Sequence, residues 1–129
     1  MGVTNEAVLI FGWSFDFDQF KQLILSIVKY DDTVDDWDFI EFIDHQVDDY
    51  IKINYPGMKV GRACPYYDCY LEDMTFYITA TDVSDIKQLY QDWDSDIPSG
   101  STEMDSLERL MITLNLRASP KVEALVNVY

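Results

Sequence analysis

Two kinds of apolar spacing alternate along this chain, and their order limits the folds it can adopt. The continuous apolar run at 7–13, ended by a polar break, predicts a buried central strand. Apolar residues then recur three or four positions apart, as they do on one face of a helix. The second half of the chain repeats the order of strand and helix. The predicted strands are 7–13, 58–64, 74–80 and 121–129, and the predicted helices are about 17–30, 37–51, 83–93 and 103–116.

This order, β-α-α-β followed by β-α-α-β, predicts an α+β fold. The same order of elements results when one helix is doubled in each half of the ferredoxin-like β-α-β-β-α-β motif. We expect a sandwich in which helices cover one face of a four-stranded, mostly antiparallel sheet, with the first and third strands side by side and parallel in the centre. A length of 129 residues fits a single domain, 1–129. For 121–129 the alternation favours a strand, although Pro120 also suits a helix start.

The charge of the chain excludes several classes of partner. It has 24 acidic and 9 basic residues, for a formal net charge of −15. Nucleic acids and acidic membranes are therefore not expected to bind it directly. The apolar runs are far shorter than the ~20 residues that span a membrane, and the N-terminus lacks the pattern of a secretion signal. These features predict a cytoplasmic protein.

The negative charge is concentrated in one predicted helix. Nine carboxylates lie between positions 31 and 49, where no Lys or Arg occurs. On a helix over 37–51 many of them fall on the outer face about one turn apart, and such like-charged neighbours cost a few tenths of a kcal/mol per pair. A surface for a basic partner explains this arrangement, and a solvated face that maintains solubility is the alternative. The predicted partner-binding residues here are Asp35, Asp38, Glu41, Asp44 and Asp48.

A second candidate surface is the connection between the predicted strands at 58–64 and 74–80. Tyr66, Tyr67 and Tyr70 lie there among acidic residues. Tyrosine is common at recognition surfaces, and aromatic rings beside carboxylates suit an Arg-rich partner. The alternative is that the tyrosines fold back over the sheet.

These features together favour a non-enzymatic interaction protein that engages a basic partner protein. One form of it is an inhibitor or immunity-type protein whose carboxylates mimic the phosphates of DNA. Homodimerisation through an outer strand of the sheet is also open.

Calcium binding is an alternative function, and Ca²⁺ is the only cofactor that the sequence suggests. The segment 92–103 resembles an EF-hand loop in having carboxylates at its positions 1, 3, 5 and 12. It departs from that pattern at position 6, where Ile97 replaces the glycine of the sharp turn. A polar loop that caps the following helix is the other interpretation. The candidate ligands are Asp92, Asp94, Asp96 and Glu103.

The cysteines and the single histidine supply the remaining alternative, a small enzyme. Cys64 and Cys69 are expected to be free thiols in a reducing compartment, although a disulfide closing this short loop is also open. A thiol nucleophile with His45 as its base is conceivable, but no spacing supports it. The sequence also lacks the phosphate-binding and nucleophile-elbow glycine motifs, so we lean against an enzyme.

Overall fold

The structure, a computed structural model, describes residues 5–30, 35–66, 69–95 and 102–128. In these ranges the chain forms an open four-stranded antiparallel sheet and four helices, which confirms the predicted α+β class. None of these helices has the length and apolar character needed to cross a lipid bilayer. The elements are β1 (Asn5–Phe15), α1 (Phe17–Leu25), α2 (Asp36–Phe42, continued by Ile43–Val47 and Asp48–Asn54), β2 (Met58–Ala63), a 3₁₀ turn (Leu71–Asp73), β3 (Thr75–Ala80), α3 (Ile86–Asp94), α4 (Thr102–Thr113) and β4 (Lys121–Val128).

The long helix α2 contains a π-helical turn at Ile43–Val47. Its buried residues Ile43, Val47 and Ile51 are spaced by four. Four residues exceed the 3.6 residues of an α-helical turn, so side chains at that spacing drift around an ordinary helix. The wider π turn absorbs part of this drift. The three side chains therefore stay on the side of the helix that faces the core.

The strand order is β2-β3-β1-β4, and every adjacent pair is antiparallel. The first and third strands are central neighbours as expected, but the parallel pairing predicted for them is wrong. The predicted connection between the first and second strands has two helices of similar length. Each of them would reverse the direction of the chain along the sheet. In the structure α1 has only nine residues, and α2 alone carries the chain back along the sheet. The ferredoxin-like topology itself stays a prediction.

The pairing of the central strands requires a glycine at position 12. Gly12 lies opposite Thr79 of β3, and a Cβ atom on it would overlap the carbonyl oxygen of Ile78. Beside it, the buried Thr79 hydroxyl accepts the backbone N–H of Phe11 at 2.9 Å. The two strands therefore approach each other more closely here than any side chain at position 12 would allow.

The main core lies between the helices and one face of the sheet, and a smaller cluster lies on the opposite face. Because neighbouring residues of a strand point to opposite faces, Phe11 enters the first cluster and Ile10 the second. The second cluster is built only from strand residues. Its buried members are Ile10, Ala63 and Tyr77, with Val8 and Leu125 packed against them.

The two outer strands, β2 and β4, meet at one corner of the sheet. The Val128 N–H, at the end of β4, donates to the carbonyl oxygen of Cys64 at 2.8 Å, just beyond β2. The Cys64 N–H donates to Oδ1 of Asn127 at 3.1 Å. The sheet therefore curls over the strand-only cluster and brings its two edges together.

Candidate interaction surface

The acidic residues of α2 do not form the single outward row that the sequence predicts. Asp35 caps the helix, since its carboxylate accepts the Trp37 N–H at 2.7 Å. The carboxylate of Asp44 accepts two hydrogen bonds from the guanidinium of Arg62 on β2, at 3.0 and 3.3 Å. Asp44 is therefore exposed, but its charge is paired with the Arg62 guanidinium of the same chain.

Asp48 is the most engaged of these carboxylates, and it too faces β2. One of its oxygens accepts the backbone N–H of Val60 at 3.0 Å, and the other contacts the Lys52 ammonium at 2.7 Å. The hydrogen bond from Lys52 to Asp48 raises the pKa of Lys52, because it favours the charged ammonium. Asp48 therefore contributes to the packing of α2 against the edge of the sheet, and its outward placement is not what the structure shows.

Asp38 and Glu41 differ from these residues in being exposed and unpaired. Neither carboxylate makes an ion pair or a side-chain hydrogen bond within the described ranges. They are three residues apart on α2, roughly 4.5 Å along the helix axis. These two carboxylates are therefore available to another molecule.

Trp37 lies beside them and is 52% exposed. The helical pattern predicts that Trp37 is buried, and that prediction is wrong. Phe39 occupies the inner position instead, where its ring packs edge-on against Phe17 at a centroid distance of 6.1 Å. One sequence signal pointed to this surface, because Trp37 lies four residues before Glu41 and so shares its helix stripe.

The exposed end of α2 and the tyrosine-rich connection lie at the same end of the molecule. Asp48 contacts Val60 and Asp44 contacts Arg62, so α2 runs antiparallel to β2. Four residues of a helix span about 6 Å, and two residues of a strand span about 6.6 Å. The two contacts are therefore nearly the same distance apart on α2 as on β2. The start of α2 therefore lies at the end of the sheet where β2 ends, since Phe39 contacts Phe17, Phe17 contacts Phe76, and Phe76 pairs with Arg62. Tyr66 follows β2 by three residues.

Tyr66 and Tyr70 are 58% and 68% exposed, so neither folds back over the sheet. Tyr67 lies outside the described residues. The structure therefore places exposed rings and free carboxylates from two elements at one end. We call this set the acidic–aromatic end: Trp37, Asp38, Glu41, Tyr66 and Tyr70.

The cysteines form a disulfide between Cys64 and Cys69, so the prediction of free thiols is wrong. Their Cα atoms are 5.9 Å apart, within the range that a disulfide requires. His45 is exposed in the π turn of α2. Because the two sulfur atoms are bonded to each other, neither cysteine has the thiol that a nucleophile activated by His45 would need.

The four candidate calcium ligands are only partly described. Asp92 and Asp94 lie in the last turn of α3, where Asp92 accepts a hydrogen bond from the Gln88 amide at 2.7 Å. Glu103 lies in the first turn of α4 and packs against Gly57, while Asp96 is outside the described residues. No group of three acidic, cysteine or histidine residues in the described ranges is arranged to hold a metal ion. Calcium binding stays a prediction.

Comparison with known proteins adds no functional information. No protein-family model matches the chain, and neither a curated protein nor a solved structure is significantly similar to it. The function is therefore inferred from the surface alone.

Proposed function

We propose that this chain is a non-enzymatic, cytoplasmic interaction protein that binds a basic partner protein through its acidic–aromatic end. The observation that carries the proposal is the exposure of Trp37 beside two unpaired carboxylates, on a helix whose Asp44 and Asp48 are engaged within the protein. Exposed large rings are uncommon on surfaces that contact only water, whereas tryptophan and tyrosine dominate the binding energy of many interfaces.

The proposed surface combines two physical effects. The net charge of −15 attracts a basic protein over a distance and speeds the first encounter. On contact, the rings of Trp37, Tyr66 and Tyr70 offer flat faces on which guanidinium groups stack, while Asp38 and Glu41 accept their hydrogen bonds. A basic surface that ordinarily holds nucleic-acid phosphates has this chemistry. The favoured partner is therefore a nucleic-acid-binding protein or nuclease, which this chain would inhibit as a DNA mimic.

Two matched double variants test the surface. Asp38→Lys with Glu41→Lys changes the acidic–aromatic end, and Asp18→Lys with Glu108→Lys is the control. Each pair contains an aspartate from the first turn of a helix and an exposed glutamate from a later turn. Each substitution makes the net charge more positive by 2, so each double variant has a net charge of −11 where the wild type has −15.

The proteins are immobilised to capture partners from lysate at low and high salt, and the retained protein is then identified and purified. Its Kd is measured against the wild type and both variants. The acidic–aromatic variant is expected to bind at least about tenfold more weakly and with a flatter salt dependence, while the control stays within about twofold. Equal weakening of the two variants would show that only the net charge matters. The absence of any basic protein retained in a salt-sensitive way would also contradict the proposal.

A further inference from the structure

Cys64 lies where several segments of the chain converge. It follows β2 directly, and its backbone N–H and C=O are both bonded to the end of β4, through Asn127 and Val128. Its side chain is bonded to Cys69, which precedes the 3₁₀ turn leading into β3. One residue therefore connects the two outer strands of the sheet to the segment that carries Tyr66 and Tyr70.

The corner held by Cys64 also shields apolar side chains. The strand-only cluster lies on the face of the sheet opposite the main core, yet Ile10 is fully buried and Tyr77 is 8% exposed. Their cover comes from the curl of the sheet, because every member of the cluster belongs to a strand. The contacts between Cys64 and β4 are what join the two ends of that curl.

We propose that the Cys64–Cys69 disulfide is a redox-sensitive latch, which holds the end of β4 against β2 while it is oxidised and releases that corner when it is reduced. The disulfide fixes the backbone of Cys64 relative to the 3₁₀ turn. Opening it leaves Cys64 held on that side only by the continuous chain of the connection. The hydrogen bonds to Asn127 and Val128 then open more often, and the curled corner loosens.

The reaction is a thiol–disulfide exchange with a dithiol. One thiolate of the reductant attacks a protein sulfur, the S–S bond breaks, and a mixed disulfide forms. The other protein sulfur leaves as a thiolate in this step. The second thiol of the reductant then displaces the protein sulfur that is held in the mixed disulfide. Two electrons and two protons pass to the protein, which ends with two thiols, and the reductant ends as its own disulfide. Both cysteines are only half-buried, so a small dithiol can reach them. In a reducing compartment such disulfides are typically transient and regulatory.

Hydrogen exchange of the full-length protein with and without dithiothreitol tests the latch. Reduction is expected to speed exchange at the backbone amides of Cys64 and Val128 at least tenfold, and reoxidation to restore the slow rate. Amides between β1 and β3 serve as the internal reference, since these strands pair at Gly12–Phe15, whereas Val128 pairs with Asn5 at the other end of β1. The variant Cys64→Ser with Cys69→Ser is expected to show the fast rates at once and to be insensitive to dithiothreitol.

A second variant separates the latch from general destabilisation. Asn127→Ala removes the side-chain acceptor of the Cys64 N–H and leaves the disulfide in place. In this variant the backbone amide of Cys64 is expected to exchange faster. The exchange rate of the Val128 amide is still expected to rise when dithiothreitol is added. Equal exchange at Cys64 and Val128 in oxidised and reduced protein would overturn the proposal, as would complete alkylation of both cysteines in protein purified without reductant. None of these measurements involves a partner, so this proposal and the proposed function fail separately.

Discussion

The carboxylate of Asp48 on α2 accepts the backbone N–H of Val60 on β2 at 3.0 Å. β2 is an outer strand, and its free N–H groups would otherwise offer an edge to another strand. Asp48 satisfies one of these donors, and Lys52 balances its charge. The acidic residues of α2 thus divide into carboxylates that hold the helix to the sheet and carboxylates that face outward.

Alanine substitutions on α2 are expected to reveal this division. Asp48→Ala leaves the half-buried Val60 N–H without its charged acceptor, so the free energy of unfolding should fall by about 1–3 kcal/mol. Asp38→Ala removes an exposed carboxylate with no partner in the described ranges, and its effect should stay within about 0.5 kcal/mol. Urea unfolding followed by far-UV circular dichroism measures both. Similar losses in the two variants would contradict the assignment.

The order of strands and helices was predictable because it depends on local apolar spacing. The partners of the acidic residues were not, because they come from elsewhere in the chain. The stretch 31–50 contains no Lys or Arg, which suggested uncompensated charge. Arg62, however, lies 18 residues after Asp44, and Val60 lies 12 residues after Asp48. Only the packing of α2 against β2 brings these groups together.

Two other differences have similar causes. Trp37 and Phe39 both fit a helical apolar pattern, and the sequence does not fix which of them turns inward at the start of α2. The spacing of Cys64 and Cys69 does not determine their distance either, because that depends on the path of the connection. The structure decides it by bringing the two Cα atoms to 5.9 Å.

The exposure of Trp37 predicts a specific fluorescence behaviour. Trp13 is 5% exposed and Trp93 is half-buried, so Trp37 should supply most of the quenchable emission. Asp36, Asp38 and Glu41 lie nearby in α2. Relative to the quenching of free tryptophan amide by the same ion, caesium should therefore quench Trp37 more strongly than iodide at equal ionic strength. Trp37→Phe should abolish most of this difference, whereas Trp93→Phe should preserve it. A stronger effect of iodide in the wild type, again relative to free tryptophan amide, would show that the surroundings of Trp37 are not negative.

Alkaline pH is expected to weaken the strand-only cluster through Tyr77. Burial, followed by the negative charges of Glu6 and Asp48, raises the pKa of Tyr77 above its ordinary value of 10.0. The unfolded chain therefore loses this proton at a lower pH than the folded protein does. The contribution of Tyr77 to stability is complete below pH 10 and is lost as the pH rises towards the pKa of the folded state.

Urea unfolding, repeated at intervals of about 0.5 pH unit between pH 9 and 11.5, measures this effect. Tyr77→Phe should reduce the alkaline decline in the free energy of unfolding, since the variant has no proton to lose at this site. Tyr66→Phe removes an exposed phenol and controls for the loss of one hydroxyl. An unchanged alkaline decline in Tyr77→Phe would contradict the prediction.

Gly12→Ala is expected to be among the most damaging single substitutions in the sheet. The added carbon would overlap the carbonyl oxygen of Ile78, and that obstacle is the backbone of β3. Relief requires the two central strands to separate, which disturbs both their ladder and the contact of Phe11 with Thr79. We expect a loss of about 3 kcal/mol or more in the free energy of unfolding, measured by urea denaturation.

Gly61→Ala provides the matched comparison for Gly12→Ala. The atoms nearest to its added carbon would be those of the Tyr77 ring and hydroxyl, which belong to a side chain and not to a paired backbone. The loss should therefore be smaller, because a ring moves more easily than a paired strand. If Gly61→Ala proved the more destabilised of the two, the close approach of β1 and β3 at Gly12 would not be the constraint that fixes the centre of the sheet.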